Sequence, residues 1–286
     1  MRMIFVPVAD RPECARALRT AFELGHSVGS HVTGCHIRPH SYSEVKLPKE
    51  LTSLIDSEAA WKAAVKGKTS KKSSAAAAAL FGTIAEKYDY ELIKKPRATP
   101  IAIWQERVGS PDKVLSIVGP VSDLLVVSRP ASKGGQLARL FLTSALMNAV
   151  RPVLILPQSG KTGVGKRICI AWNQSPEAMR AVVASMPLLQ QAEQVTIVAS
   201  GAEAGLGPKA AQLATYLRYW GVRTKRVHER RASDDAKALL GAYKDTGSDL
   251  LVMGAYSRSR LRQQIFGGVT DYMLNRANIP VFMLHS

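Results

Sequence analysis

Three short segments recur, in the same order, in the two halves of the chain. Pro12-Glu13-Cys14-Ala15-Arg16-Ala17 returns as Pro176-Glu177-Ala178-Met179-Arg180-Ala181, 164 residues later. Asp123-Leu124-Leu125-Val126-Val127 returns as Asp249-Leu250-Leu251-Val252-Met253, 126 residues later. Arg151-Pro152-Val153-Leu154-Ile155-Leu156 returns as Ile279-Pro280-Val281-Phe282-Met283-Leu284, 128 residues later. A duplicated segment set must fold twice from one pattern, so the repeat limits the chain to two copies of one architecture. The drop from 164 to 126 places an insertion of 38 residues in the first half, between its first helix and fourth strand. The step from 126 to 128 makes that half's final loop two residues shorter.

The second half is the cleaner copy. Short apolar runs at 167–172, 194–199, 250–253 and 281–284, with an alternating run at 222–227, have the length and composition of strands. Between them lie helical patterns at 176–189, 208–220, 233–244 and 269–276. Pro176 opens one helix where its missing N–H costs little, and Gly221 closes another. Ser233 is placed to cap a third, with Asp234 and Asp235 in its first turn. Strand and helix alternate throughout, which requires a parallel sheet with helices on both faces. The first half repeats the pattern with strands at 3–8, 31–37, 101–108, 124–127 and 153–156. Helices at 13–24 and 112–118 flank an expanded helical region at 43–88. Its Ala75–Ala79 run favours helix, yet beside Ser70, Ser73 and Ser74 it could equally be flexible. The expected domains are 1–158 and 167–286, joined by a Gly-, Ser- and Lys-rich linker at 159–166.

Composition narrows the functional classes. No apolar run approaches bilayer length, and the N-terminal apolar segment is too short for a signal peptide, so a cytoplasmic protein without membrane contact is expected. Three cysteines, Cys14, Cys35 and Cys169, carry no metal spacing and read as small packing residues. The formal charge of +17 suits an anionic ligand or nucleic acid. The basic residues are dispersed, however, and aromatics make up only 6%, so a nucleic-acid partner is not expected. The densest cluster, Lys62 to Lys72, reads equally well as the solvated face of a helix. His26, His31, His36 and His40 lack carboxylates at metal spacing and read as packing or surface histidines. Nothing forms a Ser/His/Asp set, a Walker A lysine or a carboxylate pair, so no catalytic group is nominated.

One stretch, 249–270, has the layout of a ligand loop. An apolar strand stops at Gly254, a basic loop with Arg258, Arg260 and Arg262 follows, and Gly267-Gly268 opens a helix at Val269-Thr270. Strand, glycine, loop, glycine pair and helix bring backbone N–H groups near a phosphate. The competing reading is that these glycines serve turns and close helix–sheet packing. The three arginines suit a polyphosphate or simply a solvated loop. Asn173, at the end of a strand where open α/β sheets bind ligands, reads as a ribose contact or as a turn with Gln174-Ser175-Pro176. Trp172 beside it reads as a stacking surface for a base or, in preference, as core.

These residues resemble the universal stress protein family in its tandem two-domain form. Gly254 and Gly267 occupy the first and third glycine places of that family's nucleotide motif at the required spacing. Ser257 stands where the second glycine is usual, Gly268 where a Ser or Thr is usual, and Asn173 where an Asp usually holds the ribose. The resemblance implies two tandem doubly wound open parallel five-stranded sheets of strand order 3-2-1-4-5. It also implies a pseudo-dimer pairing through the last strands, which could join two chains as a homodimer as well. It further implies adenine nucleotide binding, ATP with Mg²⁺, in the second half. The implied contacts are Ala171, Asn173, Val198, Met253, Gly254, Ser257, Gly267, Gly268, Val269 and Thr270. In the first half the glycine places read Ser128, Ala131 and Phe141, so nucleotide binding is expected to be lost there, although Asp10 is retained and Lys133-Gly134-Gly135 could form a local anion nest. The function implied is a stress-response sensor rather than an enzyme, weak ATP hydrolysis aside. The alternative is a protein-interaction scaffold with both sites degenerate.

Overall fold

Parallel strands in the interior of a sheet are covered on both faces, which is why the strand segments here are nearly uninterrupted apolar runs. The computed structural model describes residues 1–9, 11–38, 70–129, 136–160, 163–199, 207–228, 235–255 and 268–285. The chain divides into two units, Met1–Arg151 and Pro152–Ser286.

The first unit contains β1 (Met3–Pro7), α1 (Pro12–Val28), β2 (His31–Arg38), α2 (Ser70–Lys87), β3 (Ala102–Val108), α3 (Pro111–Val118), β4 (Leu124–Ser128) and α4 (Gln136–Asn148). Its strands run parallel in the order β3-β2-β1-β4. The Ala-rich run of the expanded region is helical, as part of α2, whereas 39–69 lie outside the described residues. Helix α1 starts at Pro12 and ends at Gly29, whose φ of 66° places it in the left-handed region that glycine adopts without strain.

The second unit begins with β5 (Val153–Leu156). It continues with β6 (Arg167–Trp172), α5 (Pro176–Ala184), α6 (Met186–Leu189), β7 (Gln194–Ala199), α7 (Ala210–Tyr219) and β8 (Thr224–His228). It closes with α8 (Asp235–Asp245), β9 (Leu250–Gly254), α9 (Val269–Asn275) and β10 (Val281–Leu284). The order β10-β9-β6-β7-β8 is parallel throughout and is the expected 3-2-1-4-5 order read from its other edge. The repeat assigns β5 to the first half, yet this strand belongs to the second unit, where it pairs antiparallel with β10 through Val153–Met283, Leu154–Phe282 and Ile155–Val281. The last strands of the two repeats thus pair with each other, as the tandem form implies.

The single helix expected over 176–189 is two helices. The chain breaks at Ser185, which has ψ near 0°, and Pro187 in the next turn has no N–H to continue the ladder. The cap expected from Ser233 falls outside the described residues.

The repeated aspartates explain the registration of each sheet's central strands. Asp123 accepts from the backbone N–H of Arg2 at 2.6 Å and of Met3 at 3.0 Å. Asp249 accepts from Gly165 at 2.8 Å, Lys166 at 3.1 Å and Arg167 at 3.2 Å. In both units the carboxylate at the start of the fourth strand holds the start of the first. Burial raises the Asp249 pKa above the ordinary carboxylate value, while the three backbone donors pull it down.

The first unit also carries an aromatic cluster. Phe22 meets Phe81 at 5.5 Å and Tyr90 at 4.9 Å, and Phe81 meets Trp104 at 5.4 Å. Gly34 of β2 makes room for it, because a Cβ there would stand 2.4 Å from the Phe81 ring. Gly34→Ala is therefore expected to cost about 1–3 kcal/mol through overpacking, measured as a lower urea midpoint at unchanged m. Asp249→Ala removes three charge-assisted hydrogen bonds to strand-start N–H groups and is expected to cost about 1–3 kcal/mol in the same assay, with Asp123→Ala showing a smaller loss because it removes two.

Candidate functional site

In an open sheet of this order, the strand order reverses between the first and fourth strands, and ligands gather outside the carboxyl ends there. In the second unit those strands are β6 and β9. Their pairing ends at Ile170–Val252, although β6 runs on to Trp172 and β9 to Gly254. Two residues on each strand therefore extend past the last pair. On the other side β6 stays paired with β7 to its end, with Ala171 opposite Val198. The strand ends bring Ala171, Val198, Met253 and Gly254 to one edge of the sheet, while Gly268, Val269 and Thr270 form the start of α9. Ser257, Gly267 and the three loop arginines, Arg258, Arg260 and Arg262, lie outside the described residues.

The local backbone explains several of these residues without reference to a ligand. Gly254 packs against the first turn of α5, where a Cβ would come within 2.6 Å of the Ala178 nitrogen and 2.7 Å of the Glu177 Cβ. Its glycine is thus a packing requirement. Gly268 is different: it caps α9 with φ of 83°, a conformation L side chains rarely adopt, and nothing lies within 4 Å of its missing Cβ. Asn173 is exposed, and its side-chain oxygen accepts from the Ser175 N–H at 3.2 Å, the turn foreseen as one reading of 173–176. Ser175 caps α5 by accepting from Ala178 at 3.1 Å. Trp172 is buried, as expected, and its indole N–H donates to the Pro208 carbonyl at 2.9 Å.

Sequence reasoning missed the clamp on this loop. Gln174 adopts φ of 62°, and its amide donates to the Gly207 carbonyl at 2.8 Å. A Cβ on Gly207 would lie 2.0 Å from the Gln174 carbonyl oxygen. The Gly207-Pro208 pair after β7 therefore holds down the loop after β6. A glycine before a proline in a loop was the available signal, and its spatial partner could not be inferred from spacing. Glu177 was missed too. One carboxylate oxygen takes a 3.0 Å ion pair from Arg180, and the other is buried with no hydrogen-bond partner among the described residues. Burial lowers the pKa of His285 at the end of β10, with the Glu177 charge and a hydrogen bond to Ala255 acting in the opposite direction.

The equivalent strand ends of the first unit frame a cavity of about 50 Å³, lined chiefly by Pro7, Val8, Cys14, Val127, Ser128 and Phe141. Here β1 and β4 are paired only to Phe5–Leu125. Ser128 is tied to α1 by donating to the Glu13 carbonyl at 2.8 Å, and Phe141, at the third glycine place, forms part of the wall. As bounded by the described residues, the space suits a few waters or a small group rather than a nucleotide. Ala131, Lys133-Gly134-Gly135 and Asp10 fall outside the described residues.

The remaining candidates behave as packing groups. His36 is buried and hydrogen-bonded to the Val8 carbonyl at 2.9 Å, and His31 accepts from the Ile101 N–H at 3.2 Å. Cys35 and Cys169 are buried free thiols, and Cys14 is partly exposed. Burial pushes the Cys35 thiol up to about 12. Among the described residues, no group of three His, Cys, Asp or Glu is placed to hold a metal. No helix among them is long and apolar enough to cross a membrane.

The comparisons with known proteins agree with this architecture. The sequence model of the universal stress protein family matches residues 175–285. The second half of the chain is a domain of that family. A universal stress protein from Archaeoglobus fulgidus DSM 4304 shares the fold across 99% of this chain and 95% of its own, with a TM-score of 0.67 at 14% identity. A protein of unknown function from Pseudomonas aeruginosa PAO1 covers 99% of this chain and 92% of its own, with a TM-score of 0.54 at 11% identity. No curated protein matches the sequence.

The two glycines that packing requires, Gly254 and Gly207, should both be sensitive to mutation. Gly254→Ala is expected to destabilise the protein by about 1–3 kcal/mol with no ligand present, because backbone of α5 must move. Gly207→Ala should lose at least as much, its Cβ meeting a carbonyl oxygen. Thermal midpoints of the two variants in nucleotide-free buffer check both.

Proposed function

We propose that the second unit binds an adenine nucleotide, ATP with Mg²⁺, at the carboxyl ends of β6 and β9, and that the protein is a cytoplasmic stress-response sensor rather than an enzyme. The observation that carries this reading is the parting of β6 and β9 after Ile170–Val252, at the switch point of the sheet, with Gly268 in a positive-φ cap opening the next helix. Backbone N–H groups from Gly254 through Ser257 and from Gly267 through Val269 would hold the phosphates, and the Thr270 hydroxyl would add a donor. The wall of Ala171, Val198 and Met253 would take the base.

The residues present fit a ribose in a particular way. Where the family usually has an Asp, Asn173 spends its oxygen on a turn. The buried, unpartnered oxygen of Glu177 supplies an acceptor one turn further on. The Asn173 amide N–H would donate to one ribose hydroxyl, and the Glu177 carboxylate would accept from the other.

The test is to denature the purified protein, assay the supernatant for nucleotide, and measure the thermal midpoint with millimolar ATP and Mg²⁺. Free ligand at a hundred times its dissociation constant stabilises by about 2.7 kcal/mol, so a rise of several degrees is expected. Glu177→Gln and Thr270→Val should each reduce the rise while leaving the ligand-free midpoint within about 1 kcal/mol of wild type. An empty supernatant and an unmoved midpoint would reject the proposal and leave the scaffold reading.

A further inference from the structure

The end of α7 and the strand after it carry a surface that the nucleotide reading does not use. Tyr219 is 88% exposed and Trp220 47% exposed, on consecutive residues of the same helix end. The backbone of Trp220 is fixed in place: its main-chain N–H donates to the Leu217 carbonyl at 3.0 Å and its carbonyl accepts from Gln190 at 3.2 Å, while its ring lies 6.4 Å from that of Tyr216. Gly221 then turns the chain with φ of 76° into β8, which among the described residues pairs with β7 alone. Arg218, Arg223, Lys225 and Arg226 are all exposed along the same nine residues. None of the four makes an ion pair among the described residues. From Ala204 to His228 the sequence contains no Asp or Glu.

Each feature has an ordinary explanation when taken alone. Cations on an edge strand discourage pairing with other chains. A cation in the last turn of a helix complements its dipole. Neither accounts for a largely exposed and a half-exposed aromatic side chain among those cations, because covering the remaining apolar surface would be favourable by about 25 cal/mol per Å². Exposed rings flanked by guanidinium and ammonium groups that make no ion pair among the described residues match the chemistry of unpaired bases on a phosphate chain, Lys225 reaching only the neutral Gln194 side chain at 3.5 Å. Sequence composition gives no stacking platform, since aromatics are sparse overall; the structure concentrates two of them at one charged edge.

We propose that Arg218–Arg226 is a binding surface for single-stranded nucleic acid, with bases stacking on Tyr219 and Trp220 and phosphates contacting Arg218, Arg223, Lys225 and Arg226. The surface is independent of the β6–β9 site, and either can fail without the other.

Fluorescence anisotropy of the full chain with a labelled twenty-nucleotide oligothymidine tests this. Binding should weaken with salt, with a log–log slope approaching about −3 for four phosphate contacts. Tyr219→Ala should weaken it about tenfold at constant slope, and Arg223→Glu with Arg226→Glu should flatten the slope by one to two. Lys94→Glu with Lys95→Glu, an equal charge change on an exposed loop of the first unit, should leave binding within twofold. An abasic oligomer of the same length should bind about tenfold less tightly, and a duplex no more tightly than the single strand. Tyr219 is so exposed that its variant should keep the wild-type thermal midpoint, which separates loss of binding from loss of fold. No binding, equal binding of the abasic oligomer, or equal losses from the Lys94/Lys95 control would each overturn the proposal. Tighter binding to anionic vesicles or to poly-glutamate, with the same dependence on Tyr219, would overturn it in favour of a membrane or an acidic protein.

Discussion

Two carboxylates at strand starts determine what happens at the opposite ends. Asp123 and Asp249 each accept the first backbone N–H groups of the neighbouring central strand and so fix how far β1 slides along β4 and β6 along β9. A parallel sheet has no tight turn to set its register, so a clamp of this kind takes that role. With register fixed, strand length decides where pairing runs out. In both units it runs out two or more residues before the strand ends. The same clamp thus generates a cavity in one unit and a candidate ligand edge in the other. The contents of the two edges differ because Phe141 and a tied-down Ser128 stand in one, and Gly254 with a glycine-capped helix in the other.

The fold was legible because its signals are local and repeated. Most strands are apolar runs with few alternatives, and two copies of the pattern supported one another. The break between α5 and α6 was legible in principle at Pro187, but the helical periodicity on both sides concealed it. The site was less legible. The positive φ of Gly268 and the packing role of Gly254 are both written as glycine, and only three-dimensional neighbours separate them. The Gln174–Gly207 clamp and the buried oxygen of Glu177 arise from contacts between segments that spacing cannot relate. For Asn173 two readings were open, and its side chain makes the turn.

Charge distribution shows a similar division between sequence and structure. A formal charge of +17 spread along the chain suggests general attraction to anions and nothing sharper. Once folded, some cations are used internally: Arg167 donates to the Gly247 and Thr246 carbonyls, and Arg151 to Pro120. Others, such as those around Trp220, remain available to solvent. Local surroundings, more than the total, decide which partner a basic protein selects.

The strand β5 ends the first repeat in sequence but lies beside β10 in the second unit. Cutting the gene at the repeat boundary would therefore give a second fragment with β10 as a bare antiparallel edge of four apolar residues. Such an edge recruits whatever strand is nearby, most simply the same edge of another fragment.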